Sequence, residues 1–208
     1  MKIAIAYKGF FLKQTIQENK NYLNYAKEII ENHKKMILSF FKNDEVDIYF
    51  STYNVEEFND LYKSEFNPKS YTYISNNFFY CGCGWTAQKE HYKNLIANIK
   101  DQNIDYDFYL ITRPDLKFFQ KFSDMNIDTK KFNIIHQHPS GNCDDNFWFF
   151  PGEMFETFLK SIDELILNGQ ITHEINHSLQ KNGVDINYMT PYDYNSQPLG
   201  HKIFDICR

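Results

Sequence analysis

Strand-like and helix-like patterns alternate along almost the whole chain, and that alternation narrows the possible folds more than any other feature. Residues 3–7 form a short apolar run of β-forming side chains, the mark of a buried strand. Tyr22, Ala26, Ile29, Ile30, Ile37, Phe40 and Phe41 fall near helical spacing and predict a long helix over 15–41. Strands are then predicted at 46–50, 71–74, 107–112, 132–136 and 186–189, with an apolar aromatic run at 147–150. Helices are predicted at 55–62, 86–100, 153–167 and 172–182, with Gly169 and Gly183 as stops. Strands alternating with helices imply an α/β fold on a mostly parallel sheet. The closer strand spacing after Asp115 points to a mixed sheet in the second half.

The 208 residues suit one domain, and 42% hydrophobic content can supply its core. A net charge of -5 excludes the basic stripe that non-specific nucleic-acid binding requires. There is no apolar stretch of about 18 residues, so no membrane span is expected. The opening Lys2-Ile3-Ala4-Ile5-Ala6 is too short and wrongly flanked for a signal peptide. Cys81, Cys83, Cys143 and Cys207 lack zinc-finger or disulfide-framework spacing and are expected to be reduced cytoplasmic thiols. Aromatic residues make up 18% of the chain, enough to build a core and also to stack on sugars or bases.

Chemistry concentrates where strands end. The run at 107–112 leads into Arg113-Pro114-Asp115. In open α/β sheets ligands gather beyond the carboxyl ends of the strands. If the backbone stays extended, Arg113 and Asp115 project together into one crevice. The chain's clear acidic pair, Asp105-Tyr106-Asp107, lies at the other end of that strand, away from any such crevice. Asp144-Asp145-Asn146-Phe147-Trp148 offers a general base and a stacking ring, or merely an Asx turn. His136-Gln137-His138 closes a strand, and Gly200-His201-Lys202 could fold over a phosphate. His173-Glu174-Ile175-Asn176-His177 spells the zinc-peptidase string, yet both histidines fall opposite Ile171, Ile175 and Leu179, on the expected solvent face.

Taken in order, Lys2-Ile3-Ala4-Ile5-Ala6, residues 46–53, Gln88, Tyr106-Asp107, Ile111 to Leu116, Asp145-Asn146-Phe147-Trp148, Pro151-Gly152 and the Glu174 helix form a set. That set resembles the small GT-A-type glycosyltransferases of large DNA viruses and bacterial surface-polysaccharide clusters. The resemblance implies a Rossmann-like nucleotide-sugar fold with a mixed, mostly parallel sheet. Its nucleotide-binding half would span about 1–118 and its acceptor half about 119–208. It implies a nucleotide-sugar donor, a glycan or glycoconjugate acceptor, and a cytoplasmic location. Ala6, Tyr7, Lys8, Thr52, Tyr53, Gln88, Arg113 and Asp115 would meet the donor, and His138, Asp144 and Trp148 the acceptor. Asp145 would be the acceptor base of an inverting transfer. Asp115 matches the last acid of the family's D-x-D and, with His201, would hold Mn or Mg. Arg113 replaces the first acid and could itself neutralise a diphosphate. A non-catalytic glycan- or nucleotide-binding module of the same fold is the alternative.

Overall fold

A computed structural model of the protein describes residues 1–9, 22–74, 84–192 and 202–206. Thr15, Cys81, Cys83, Gly200, His201 and Cys207 lie outside the described residues, as do the expectations placed on them.

The elements run β1 (Lys2–Lys8), α1 (Tyr22–Met36), β2 (Glu45–Tyr53), α2 (Glu56–Phe66), β3 (Ser70–Ile74), α3 (Gly84–Asp101), β4 (Phe108–Thr112) and β5 (Leu116–Phe118). They continue β6 (Phe132–Ile134), β7 (Phe147–Pro151), α4 (Phe155–Leu167), α5 (Ile175–Lys181), β8 (Ile186–Tyr188) and β9 (Phe204–Ile206). Seven strands form one sheet in the order β3-β2-β1-β4-β7-β6-β8. Within it β7 alone runs against its neighbours, β4 and β6. The other pairings are parallel, and β5 and β9 form a separate antiparallel ribbon. The chain is therefore α/β with a mostly parallel, mixed sheet.

Side-chain alternation along β1 divides the core. Ile3, Ile5 and Tyr7 face α1 and α2, meeting Ala26, Ile29, Ile30, Phe58, Tyr62 and Phe66. Ala4 and Ala6 face the opposite layer, where α3 supplies Tyr92, Leu95 and Ile99 and α4 supplies Phe158 and Ile162. Both faces of the sheet are thus covered, which explains why its central strands read as continuous apolar runs. Each fully buried Phe, Leu or Ile stabilises the fold by about 1.5–3 kcal/mol.

Several boundaries differ from the sequence pattern. The first helix tightens into a 3-10 turn over Leu38–Phe41. This seats Phe40 and Phe41 against Phe122 at centroid distances of 4.9 and 4.8 Å. The second helix runs past Tyr62 to bury Phe66 and stops at Asn67, whose left-handed φ of 43° closes the last turn through its N–H to the Lys63 carbonyl. Gly152 is required for packing. A Cβ there would sit 1.9 Å from the Tyr106 carbonyl oxygen, on the approach that joins β7 to the start of β4. Among the described residues, no helix is long and apolar enough to cross a membrane.

Candidate functional site

From β1 the chain steps outward to β2 and β3, and β4 then returns to the other side of β1. The carboxyl ends of β1 and β4 therefore flank the point where strand order reverses, the usual position of a ligand crevice in such sheets. Asp105 and Asp107 lie at the opposite end of β4, as expected. There Asp107 is structural, its Oδ2 accepting the Lys2 N–H at 2.7 Å.

At the carboxyl ends the structure gathers a cluster of charge. Lys8, the last residue of β1, faces α3 and places Nζ 3.7 Å from Asp145 Oδ2, with both side chains 3% exposed. Its ammonium also lies over the rings of Tyr92, 4.9 Å from the centroid, and Trp148, 5.8 Å away. Such contacts partly replace lost hydration. Asp145 Oδ2 accepts the Thr172 hydroxyl at 2.7 Å. Thr172 lies equally close to the Gln88 side chain, so Gln88 joins the cluster from α3. His173 brings Nε2 to 3.6 Å from Asp145 Oδ1.

The loop carrying the aspartates is held rigidly. Thr112, at the end of β4, donates its hydroxyl to the Asn146 carbonyl at 3.1 Å. Trp148 Nε1–H donates to the Asp144 carbonyl at 3.0 Å. The Asp144 carboxylate accepts both the backbone and the side-chain N–H of Asn146. Burial pushes Asp144 up to about 6, with the neighbouring charge of Asp145 adding to the effect. Burial also opposes ionisation of Asp145, but Lys8, His173, Thr172 and Arg113 outweigh it and hold this carboxyl well below the usual range. Burial lowers the Lys8 ammonium, and Asp145 opposes that shift. Two adjacent aspartates thus have opposite tendencies, set by their partners.

Arg113 and Asp115 do not project side by side into open space. The backbone turns at Pro114 and Asp115. Arg113 then grips Asp115 with its fork, Nε to Oδ1 at 2.8 Å and a terminal nitrogen to Oδ2 at 2.6 Å. Two helices of one layer, α2 and α1, pin the turn. The Tyr62 O–H donates to the Pro114 carbonyl at 3.3 Å, and His33 Nε2–H donates to the Leu116 carbonyl at 2.7 Å. With both Asp115 oxygens bonded to Arg113, this carboxylate does not fit a divalent ion. Among the described residues no three His, Cys, Asp or Glu side chains converge as metal ligands.

Other expected site residues are placed as follows. Ala6 lies in the core beneath the cluster. Tyr7 points to the opposite layer, fully buried, with its hydroxyl 3.3 Å from His33 Nδ1. Thr52 shares that layer with Asn59 and Tyr71. Neither Tyr7 nor Thr52 faces the charged cluster, because strand alternation turns each away from Lys8 and Ser51. Tyr53 packs edge-on against His91, 5.2 Å between centroids. Trp148, expected to stack on a ligand ring, is 0% exposed and stacks on Tyr92 instead, 5.2 Å between centroids. Its neighbours Phe147, Phe149 and Phe150 are also buried, so this aromatic run builds core. His138 sits beside the cluster, its ring 5.7 Å from that of His173.

The zinc-peptidase string is divided between a 3-10 turn, Thr172–Glu174, and the start of α5. His173 lies only partly on the solvent face that its spacing suggested, with 37% of its side chain exposed. The turn rotates it toward Asp145, while His177 stays exposed near Asn142. His173 and Thr172 are the site residues that helical periodicity misplaces. Cys143 is a buried free thiol whose pKa burial raises, which fits packing and not nucleophilic chemistry. Comparison with protein-family models and with curated proteins finds no match for this chain. The site's own chemistry therefore carries the functional reading.

Proposed function

We propose that the protein is a glycosyltransferase acting in the cytoplasm, moving a sugar from a nucleotide-sugar donor to a glycan or glycoconjugate acceptor. The observation that carries this reading is the Lys8–Asp145 pair, set with Arg113 around the strand-order switch at the carboxyl ends of β1 and β4. A departing nucleoside diphosphate gains negative charge as the glycosidic bond breaks. Preorganised cations in a water-poor site stabilise that charge far better than water does. Lys8 and Arg113 are such cations; the Arg113 fork holds Asp115, which leaves the other guanidinium N–H groups to meet phosphate oxygens. Gln88, Thr172 and His138 add hydrogen-bonding groups of the kind that fix a sugar's hydroxyls. A GT-A arrangement of the fold belongs to this proposal.

No step is routed through Mn or Mg, since an ion at Asp115 would first have to displace Arg113. A second reading, a glycan- or nucleotide-binding module without turnover, draws on the same closure of Asp115 by Arg113. Asp115→Ala and Asp145→Ala assayed against a panel of nucleotide sugars test the transferase reading. Both variants are expected to lose transfer, and full transfer by both contradicts the assigned site.

A further inference from the structure

His173 and Asp145 divide between them two properties that a base for the acceptor hydroxyl needs together. Asp145 is charged but inaccessible: it is 3% exposed, with Oδ2 occupied by Lys8 and Thr172. His173 is 37% exposed, so an acceptor can reach it. Its ring is also fixed in one tautomer. Nδ1 lies 2.8 Å from the Cys143 carbonyl oxygen, which can only accept, so Nδ1 carries the proton. The Cys143 N–H in turn donates to the His173 carbonyl at 2.7 Å, clamping the residue at two points. In the neutral ring Nε2 then keeps its lone pair, facing Asp145 Oδ1 across 3.6 Å. That separation exceeds a hydrogen bond. It leaves Nε2 without a hydrogen bond to Asp145, so its lone pair can take the proton of a bound hydroxyl.

We propose that His173 takes the proton of the acceptor hydroxyl, with Asp145 as the positioning carboxylate that stabilises the resulting imidazolium. The proposal rests on the transferase reading above and assigns its base. In the step, the acceptor oxygen forms a bond to the anomeric carbon of the donor sugar. The bond from that carbon to the diphosphate oxygen breaks, and its electron pair leaves with the nucleoside diphosphate. The hydroxyl proton moves to His173 Nε2, while Nδ1–H stays on the Cys143 carbonyl. Product release returns the proton to solvent. A single displacement of this kind inverts the anomeric centre. A neutral imidazole held through Nδ1–H by a carbonyl can accept such a proton at Nε2, and the carboxylate beside Nε2 stabilises the cation that forms.

The test uses the whole chain and the donor that the wild-type protein turns over. His173→Gln and His173→Ala are expected to keep the donor-induced rise in melting temperature and to lose transfer by about 10²–10⁴-fold. Added imidazole is expected to restore part of the rate in His173→Ala, which a purely structural role would not allow. The proposal is overturned if His173→Gln transfers within about threefold of wild type, if both variants lose the donor-induced shift, if imidazole restores nothing, or if the product keeps the donor's anomeric configuration. Wild-type protein that turns over no donor overturns the transferase reading itself, and the assignment of His173 falls with it.

Discussion

Lys8 Nζ and Asp145 Oδ2 lie 3.7 Å apart in the interior and join the last residue of β1 to the loop that enters β7. Two segments remote in sequence thus meet as opposite charges at the point where strand order reverses. An ion pair withdrawn from water gains little net stability, because desolvation offsets most of the attraction. Such a pair fits a site that needs a fixed cation and a fixed anion.

The pair's energetics are directly measurable. Lys8→Met leaves Asp145 buried without its ammonium, and Asp145→Asn leaves Lys8 without its carboxylate. Each is expected to cost about 3–5 kcal/mol in urea unfolding. The double variant should cost less than the two singles added together, with a coupling of about 0.5–3 kcal/mol. Strict additivity contradicts the pairing.

Asp144 sets one sign of the pH dependence. Its pKa is raised to about 6 in the folded state from 3.8. The folded chain therefore holds this proton more tightly, and the stability it contributes is complete below about pH 4 and lost as pH rises through 6. Asp144→Asn should remove a loss on the order of 2 kcal/mol between pH 4 and 7, seen as a flatter plot of urea midpoint against pH than wild type.

His33 has the opposite sign. Burial lowers it from 6.5 to about 4 as it bridges Tyr7 and the Leu116 carbonyl. Its contribution is present above pH 6.5 and lost as pH falls through 4, because the unfolded chain binds the proton first. His33→Asn should be less stable than wild type at pH 7.5, with the gap narrowing as pH falls toward 4. A constant gap across that range would show that His33 does not titrate with unfolding.

Gly152→Ala tests the packing beneath the site. The added Cβ would meet the Tyr106 carbonyl oxygen at 1.9 Å, and neither backbone can yield without disturbing the junction of β4 with β7. A loss of about 3 kcal/mol in unfolding free energy is expected. Gly169→Ala, where a Cβ meets nothing within 4 Å, should lose less through its φ of +68°.

Much of the fold is legible in the sequence because its period changes are strong. Alternating strand and helix runs give the α/β class, and the apolar stripe of Phe155, Phe158, Leu159, Ile162 and Leu165 gives α4 with its buried face. The site is legible only in part. Lys8, Arg113, Asp115 and Asp145 stand at strand ends or in a short acidic loop, where a local reading finds them. Their partners do not follow locally: nothing near Lys8 in the chain names Asp145, and nothing near Asp115 shows that Arg113 will occupy both its oxygens. Trp148 misleads because an indole beside two aspartates suggests a ring that stacks on a ligand. Phe147–Pro151 is an unbroken apolar run, the pattern of a strand covered on both faces. His173 misleads because α-helical periodicity does not extend back into a turn of tighter pitch, which brings its ring to Asp145 while part of it stays exposed.

A nucleotide sugar is proposed to bind at the carboxyl ends of β1 and β4. Melting temperature measured with UDP-, GDP-, CDP- and dTDP-sugars, with and without manganese, tests it most directly. Binding stabilises by mass action, so a donor at 100 times its dissociation constant should add about 2.7 kcal/mol. At least one donor is expected to raise the melting temperature of the wild-type chain, with the rise lost in Lys8→Met under conditions where that variant remains folded. No shift with any donor, with or without the ion, or an undiminished shift in folded Lys8→Met, would contradict the account.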